Sequence, residues 1–358
     1  MGYGTWNVQY GYAPVPSAGV PGTALALSTA TEGLPILDRP SINIDIGWHD
    51  AQKARNHPLI GSADVTLITK MPKFSFSCPV TPYVLCDFVY ALFNKISAEA
   101  VATPFKKDFI YASTNVSIDK GGTAVSAVQF PHIFDIWRVN PGLTGTDQDE
   151  QLISAIPSQI TFSIQNGLLS MAVDMVALDC DIKAVNYTGT LTKNWNNASG
   201  HKFCAFTHLK VDTIAVPMQD FTMTVPNGVS VFPYNLGVPQ TMILAGTPPR
   251  ASGSFTIPMD KAAAEALWTE ADPTATPFVA GPLQPTQSRF QIFGPRVGSD
   301  AVTTESDVLL DIRGYPKVLT PGGGADQQVT VIEIEPAFDG SNEPITISAA
   351  DATDRAWT

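Results

Sequence analysis

A hydrolase of the nucleophile–base–orienter type needs its three groups within hydrogen-bond reach, so the five histidines His49, His57, His132, His201 and His208 are the first residues to examine. None adjoins a Gly-x-Ser-x-Gly elbow. Ser252 sits in a run of small residues, but Arg250 and Ser254 stand where that pattern needs glycine. His49-Asp50 with His57 could be drawn as a metal site, yet its spacing matches no helical or zinc pattern. Loop histidines are the simpler reading. Asp179-Cys180-Asp181 lacks the surrounding pattern of a calcium loop and reads as strand-end carboxylates. Gly322-Gly323-Gly324 lacks the Lys-Ser/Thr of a phosphate loop and reads as a turn. Lys106-Lys107 is too short for a nucleic-acid patch. Catalytic residues, cofactor sites and metal sites are therefore expected to be none, and the chain is not expected to be an enzyme.

Charge and composition narrow the function classes further. The formal net charge is −12. Residues 1–187 carry 11 Lys and Arg against 16 Asp and Glu, and residues 188–358 carry 10 against 17. Neither half is basic, which argues against tight phosphate binding. Charged residues make up 15% of the chain, well under the usual ~25%, so much of the surface is expected to be covered by neighbours. Pro (29) and Gly (27) are plentiful beside Thr, Val and Ile, as in short strands with frequent turns. Cys78, Cys86, Cys180 and Cys204 show no paired or zinc spacing and are expected to be free thiols. The first residues lack a basic segment followed by an apolar core, so no signal peptide is expected. No run of 18 apolar residues is present, so no membrane-spanning helix is expected.

The elements that would position any site follow from periodicity. Residues 1–35 hold Tyr3, Trp6, Tyr10 and Tyr12, then closely spaced Pro and Gly. They read as an extended assembly arm whose rings must lie on something. Residues 36–185 predict strands near 42–46, 63–69, 73–78, 110–118, 127–134, 159–165 and 169–178. A helix starts at Thr81-Pro82, a cap followed by a residue tolerated in the first turn. Leu85, Phe88, Val89, Leu92 and Phe93 share one face of it. Asn166-Gly167 supplies the positive φ a tight hairpin needs. Residues 186–202 read as a polar linker, 203–340 as a second domain with a helix from Asp260, and 341–358 as a tail.

The two domains look like copies. Phe76-Ser77-Cys78-Pro79-Val80-Thr81 and Phe255-Thr256-Ile257-Pro258-Met259-Asp260 share one pattern, 179 positions apart (255 − 76). The same offset lays Ile42-Asn43-Ile44-Asp45-Ile46 on Phe221-Thr222-Met223-Thr224-Val225 without a gap. The expected fold class is mainly β: two tandem sandwich- or barrel-like domains, each with one packed helix. A repeat of this length points to symmetry and assembly.

The second domain carries a more specific likeness. Phe221-Thr222-Met223-Thr224-Val225-Pro226-Asn227-Gly228-Val229 is followed by Leu236-Gly237-Val238-Pro239. Ala245-Gly246-Thr247-Pro248-Pro249-Arg250-Ala251-Ser252-Gly253-Ser254-Phe255-Thr256-Ile257-Pro258-Met259-Asp260 leads into the helix at 262–268. This resembles the major tail tube proteins of long-tailed bacteriophages. The hairpin at 156–178 is similar to that family's strand hairpin. The resemblance implies a structural virion protein of the phage tail, assembled in the host bacterial cytoplasm. Single-domain members form stacked hexameric rings, so a two-domain chain implies trimeric, pseudo-hexameric rings around a channel for DNA ejection. The implied partners are copies of the chain itself, tail terminator and tail-tip or baseplate proteins, and DNA passing without specific contact. No membrane binding is implied. A wall that should not grip DNA suits carboxylates, and Asp45, Asp174 and Glu333 are the candidates on alternating strands. The long segment at 105–122 and the aromatic arm depart from simple members. A secretion-system or contractile-machine tube is the nearest alternative. A surface carbohydrate-binding β-sandwich, using Trp137 or Trp195, is the other.

Overall fold

The computed structural model describes residues 8–15, 22–26, 32–36, 40, 42–50, 65–93, 96–99, 105–111, 118–119, 133–139, 149–165, 167–181, 208–211, 214–216, 218–235, 239–245, 250–258, 288–294, 308–322, 329–337 and 343–351. Strands dominate them, as the composition predicts. They are β1 (Gln9–Pro14), β2 (Glu32–Leu34), β3 (Asn43–Asp50), β4 (Val65–Pro79), β5 (Ile96–Glu99), β6 (Phe105–Ile110), β7 (Ile118–Asp119), β8 (Phe134–Val139), β9 (Glu150–Gln165) and β10 (Leu168–Asp181). Then follow β11 (His208–Val211), β12 (Ile214–Val216), β13 (Asp220–Pro226), β14 (Val229–Asn235), β15 (Pro239–Ala245), β16 (Ser252–Pro258), β17 (Ser288–Gly294), β18 (Val308–Gly322), β19 (Val329–Pro336) and β20 (Ile345–Asp351). All pairings among them are antiparallel, and 17 strands join into one sheet.

Long strands make this possible by changing partners along their length. β9 pairs with β10 throughout, but its first part also pairs with β8 and its second part with β13. β18 does the same, with β17 and β20 on its first part and β19 on its second. β4 pairs with β3 at its start and with β10 at its end. The sequence predicts two strands here, near 63–69 and 73–78; one strand runs through Pro72, which lies opposite Ile44 at the change of partner. The β9–β10 hairpin turns at Gly167 with φ 77°, the conformation that glycine alone adopts freely.

The helix α1 (Pro82–Phe93) begins as expected. The Leu85 N–H donates to the Thr81 carbonyl at 2.9 Å. It is more enclosed than a one-sided pattern implies: Val84 to Val89 and Ala91 to Phe93 are all buried. It packs against β9 and also against β6 and β20, so apolar residues on several sides find partners. Asp87 lies on this enclosed helix and accepts the Tyr12 hydroxyl. Tyr12 is fully buried, and its ring meets Phe88 at 5.3 Å and Phe134 at 5.5 Å. Tyr10 is also buried, near Phe74. Both belong to β1, which pairs with β2 and β8. They are core residues of this chain and not free rings of an assembly arm. Tyr3 and Trp6 lie outside the described residues, as does the helix expected from Asp260.

Candidate functional site

Period-two alternation gives the sheet two unlike faces. On the core face stand Phe74, Phe76 and Cys78 of β4, Met171 and Val173 of β10, Ile160 and Phe162 of β9, Phe221 and Met223 of β13, Phe255 and Ile257 of β16, and Ile332 and Ile334 of β19, all buried. The intervening residues are small and hydroxylated. Ser75 lies opposite Asp174, Ala172 opposite Thr161, Ser170 opposite Ser163, Ser163 opposite Thr222, Thr222 opposite Ser254, and Ser254 opposite Glu333. One polar face thus runs without a break across β4, β10, β9, β13, β16 and β19. Thr161 and Thr224 bridge its centre, their hydroxyls 3.1 Å apart.

The three carboxylates proposed from the sequence, Asp45, Asp174 and Glu333, are all exposed and all on this face. Asp174 accepts the Ser75 hydroxyl at 2.6 Å, and Asp45 is 2.5 Å from Lys73 Nζ. Sequence reasoning missed Asp220 and Glu335, which alternate in step with Thr222 and Glu333. Arg250 pairs with Glu335. Among the described side chains the face holds these five carboxylates against two cations, Lys73 and Arg250, each engaged by a carboxylate. Its net charge is negative. A depression of about 410 Å³ opens on it, lined by Thr222, Arg250, Ser252, Glu333 and Glu335. Its hydroxyls and carboxylates form a shallow hydrophilic surface.

A further titratable group set in a built environment is Asp135. Burial pushes its carboxyl up, while donors from Leu25 N (2.8 Å), Ser154 N (2.8 Å) and Gln151 Nε2 (2.9 Å) pull the other way. Ser154 has φ 52°, and Gly22 N donates to its hydroxyl. Asp135 therefore pins the segment 22–26 to an irregular stretch of β9. Its oxygens accept from two backbone N–H groups and one side-chain amide, which is a structural use.

The remaining sequence candidates scatter. Asp179 is 2.9 Å from Lys70 Nζ. Lys107 is buried, and Lys106 approaches Asp108 at 3.4 Å. Trp137 is fully buried and presents no ring to a sugar; Trp195 lies outside the described residues. Cys78, Cys86 and Cys180 are buried and form no disulfide, and burial pushes the Cys78 thiol up; Cys204 is outside the described residues. Among the described residues no group of three or more His, Cys, Asp and Glu is placed to hold a metal ion. No described helix is long and apolar enough to cross a membrane. No family model matches the sequence, and no curated protein matches it.

Proposed function

We propose that the chain is a structural protein similar to the major tail tube proteins of long-tailed bacteriophages. It holds a tube domain twice. Three chains make a pseudo-hexameric ring, and rings stack around a channel through which DNA passes. No catalysis and no cofactor are part of this reading. The partners are further copies, tail terminator and tail-tip or baseplate proteins, and DNA in transit.

The observation that carries it is the β9–β13 junction. Two halves of the chain meet by strand pairing, so their sheets become one, with one face polar and acidic. Duplication is supported by pairing order. β3–β4–β10–β9–β8–β1–β2 is matched step for step by β13–β16–β19–β18–β17–β11–β12. The match extends to an irregularity. In one half Ser158 is skipped after Pro157, between the partners of Asp174 and Met175. In the other, Lys317 is skipped after Pro316, between the partners of Glu333 and Ile334. The two prolines are 159 positions apart (316 − 157), and Asp174 and Glu333 are the same distance apart. Joining sheets edge to edge removes exposed edges once a ring closes. Lining a channel with carboxylates and hydroxyls avoids counterion-release binding to phosphates.

Light scattering on the purified protein, with negative-stain microscopy of the same sample, tests this. The expected result is a mass of about 115 kDa or its multiples, three or more chains of 38.2 kDa, and ring or tube images. A monomer under all conditions, including those that favour assembly, would overturn it.

A further inference from the structure

The junction within the chain is a template for a junction between chains. β13 has β16 on one edge and β9 on the other. Its counterpart β3 has β4 on one edge and, among the described residues, no strand on the other. β9 carries β10 on one edge, with β8 and then β13 along the other. Its counterpart β18 carries β19 and β20 on one edge, with β17 on the other only as far as Gly314. Among the described residues no strand follows β17 along that edge. Among the open edges of the described strands, these two are the halves of the contact that β13 and β9 make. We propose that β3 of one copy pairs antiparallel with residues 318–321 of β18 in a second copy. This assignment rests on the tube reading only for the closure of the ring; the edge contact itself is argued from the strand pairings.

The register follows from equivalent positions. Lys73 and Ser252 are equivalent through Phe76 and Phe255. Asn43 lies opposite Lys73, and Thr224 lies opposite Ser252. Asn43 therefore corresponds to Thr224. Thr161 and Thr320 correspond across the equivalent hairpins, opposite Ala172 and Val331. Since Thr224 lies opposite Thr161, Asn43 is placed opposite Thr320 of the next copy. Ile42 then faces Pro321, Ile44 faces Leu319, and Asp45 faces Val318. Pro321 supplies no N–H, and the Ile42 N–H already donates to the Glu150 carboxylate at 3.0 Å, so the ladder is carried by the steps from Asn43 onward.

Two independent features mark this side of the molecule as covered. Asn227 is buried because it is held at the β9 junction: its N–H donates to the Ser158 carbonyl and its amide to the Pro157 carbonyl. The corresponding residue on the open edge is Ile46, which is 49% exposed, a large apolar side chain left in solvent. Placing the backbone at Lys317 of a second copy beside it recreates the covered site. The second feature is the hairpin β14–β15, which continues β13 and β16 and lies against β4 and β10. Val229 there packs on Ile156, Val176 and Leu178. The positions 159 later are Tyr315, Glu335 and Ala337. Beside Glu335 lies the open depression of about 410 Å³.

Two single variants test the pairing: Asn43→Cys in one preparation and Thr320→Cys in another. Facing residues of an antiparallel pair have Cα atoms about 4.5–5.5 Å apart, inside disulfide range. Neither variant alone is expected to crosslink at this position, because each supplies one partner. Mixed, disassembled, reassembled and oxidised, they should give a disulfide-linked heterodimer. Mass spectrometry should then find the peptide pair linked through positions 43 and 320. The chain carrying both substitutions should give crosslinked closed species. Mixtures that assemble by light scattering but form no such link would overturn the pairing and leave the tube reading standing. Mixtures that stay monomeric would overturn both. A link formed inside one chain would also contradict it.

Discussion

Replacing Asp174 and Glu333 by lysine is expected to give the assembled protein a salt-dependent affinity for duplex DNA. Both carboxylates are exposed on the polar face, at positions that the proposed duplication makes equivalent. In the proposed three-chain ring, the double variant would present six new cations to a duplex in the channel. Each neutralised phosphate contributes about −0.9 to the slope of log affinity against log salt. Six therefore give a slope of about −5 and roughly a thousandfold loss of affinity between 50 and 200 mM salt. Filter binding or fluorescence anisotropy on assembled protein over that range measures it. The unmodified protein should show no comparable binding. An assembled lysine variant that gains no affinity would mean that this face does not look onto the path of DNA.

Truncating Phe88 to alanine is expected to be the most damaging single change to stability. Phe88 is fully buried in α1, with ring centres 4.9 Å from Phe134, 5.3 Å from Tyr12 and 5.5 Å from Phe76. It joins the helix, the strand β1 and the sheet. The removed ring loses its transfer free energy and leaves a cavity, together about 3–5 kcal/mol. Total stabilities are about 5–15 kcal/mol, so the variant loses a large share of the whole. Phe88→Leu keeps most of the apolar volume and should cost about 1.5 kcal/mol or less. Urea unfolding followed by fluorescence gives both values. A Phe88→Ala protein as stable as the parent would show that the aromatic cluster does not organise this half.

Those aromatics illustrate what the sequence reveals and what it hides. Tyr10 and Tyr12 alternate with small residues in Gln9-Tyr10-Gly11-Tyr12-Ala13, the period of a strand. The dense Pro and Gly beyond them point instead to an arm. Their partners, Phe88 and Phe134, are too distant in sequence for local periodicity to connect them. Asn166-Gly167, by contrast, announces its hairpin because turn chemistry is local. The proposed repeat is suggested by the sequence at Phe76 and Phe255, and its register slips at the preceding strand. The sequence aligns Asn43 with Thr222, whereas the pairings align it with Thr224. A shift of two residues preserves which side chains face the core, so alternation alone cannot detect it. The polar face is legible only in part. Asp45, Asp174 and Glu333 alternate with apolar neighbours, but that one face joins them depends on the β9–β13 pairing, a contact between the two halves that no local signal encodes.

Cryo-electron microscopy of the assembled protein tests the central claim most directly. The expected map is a hollow ring of six similar density units, continuous in β-sheet around the channel. Its inner wall should carry Asp174, Thr161, Thr224 and Glu333 from β10, β9, β13 and β19. A ring with these residues on its outer surface, or an assembly with no central channel, would contradict it.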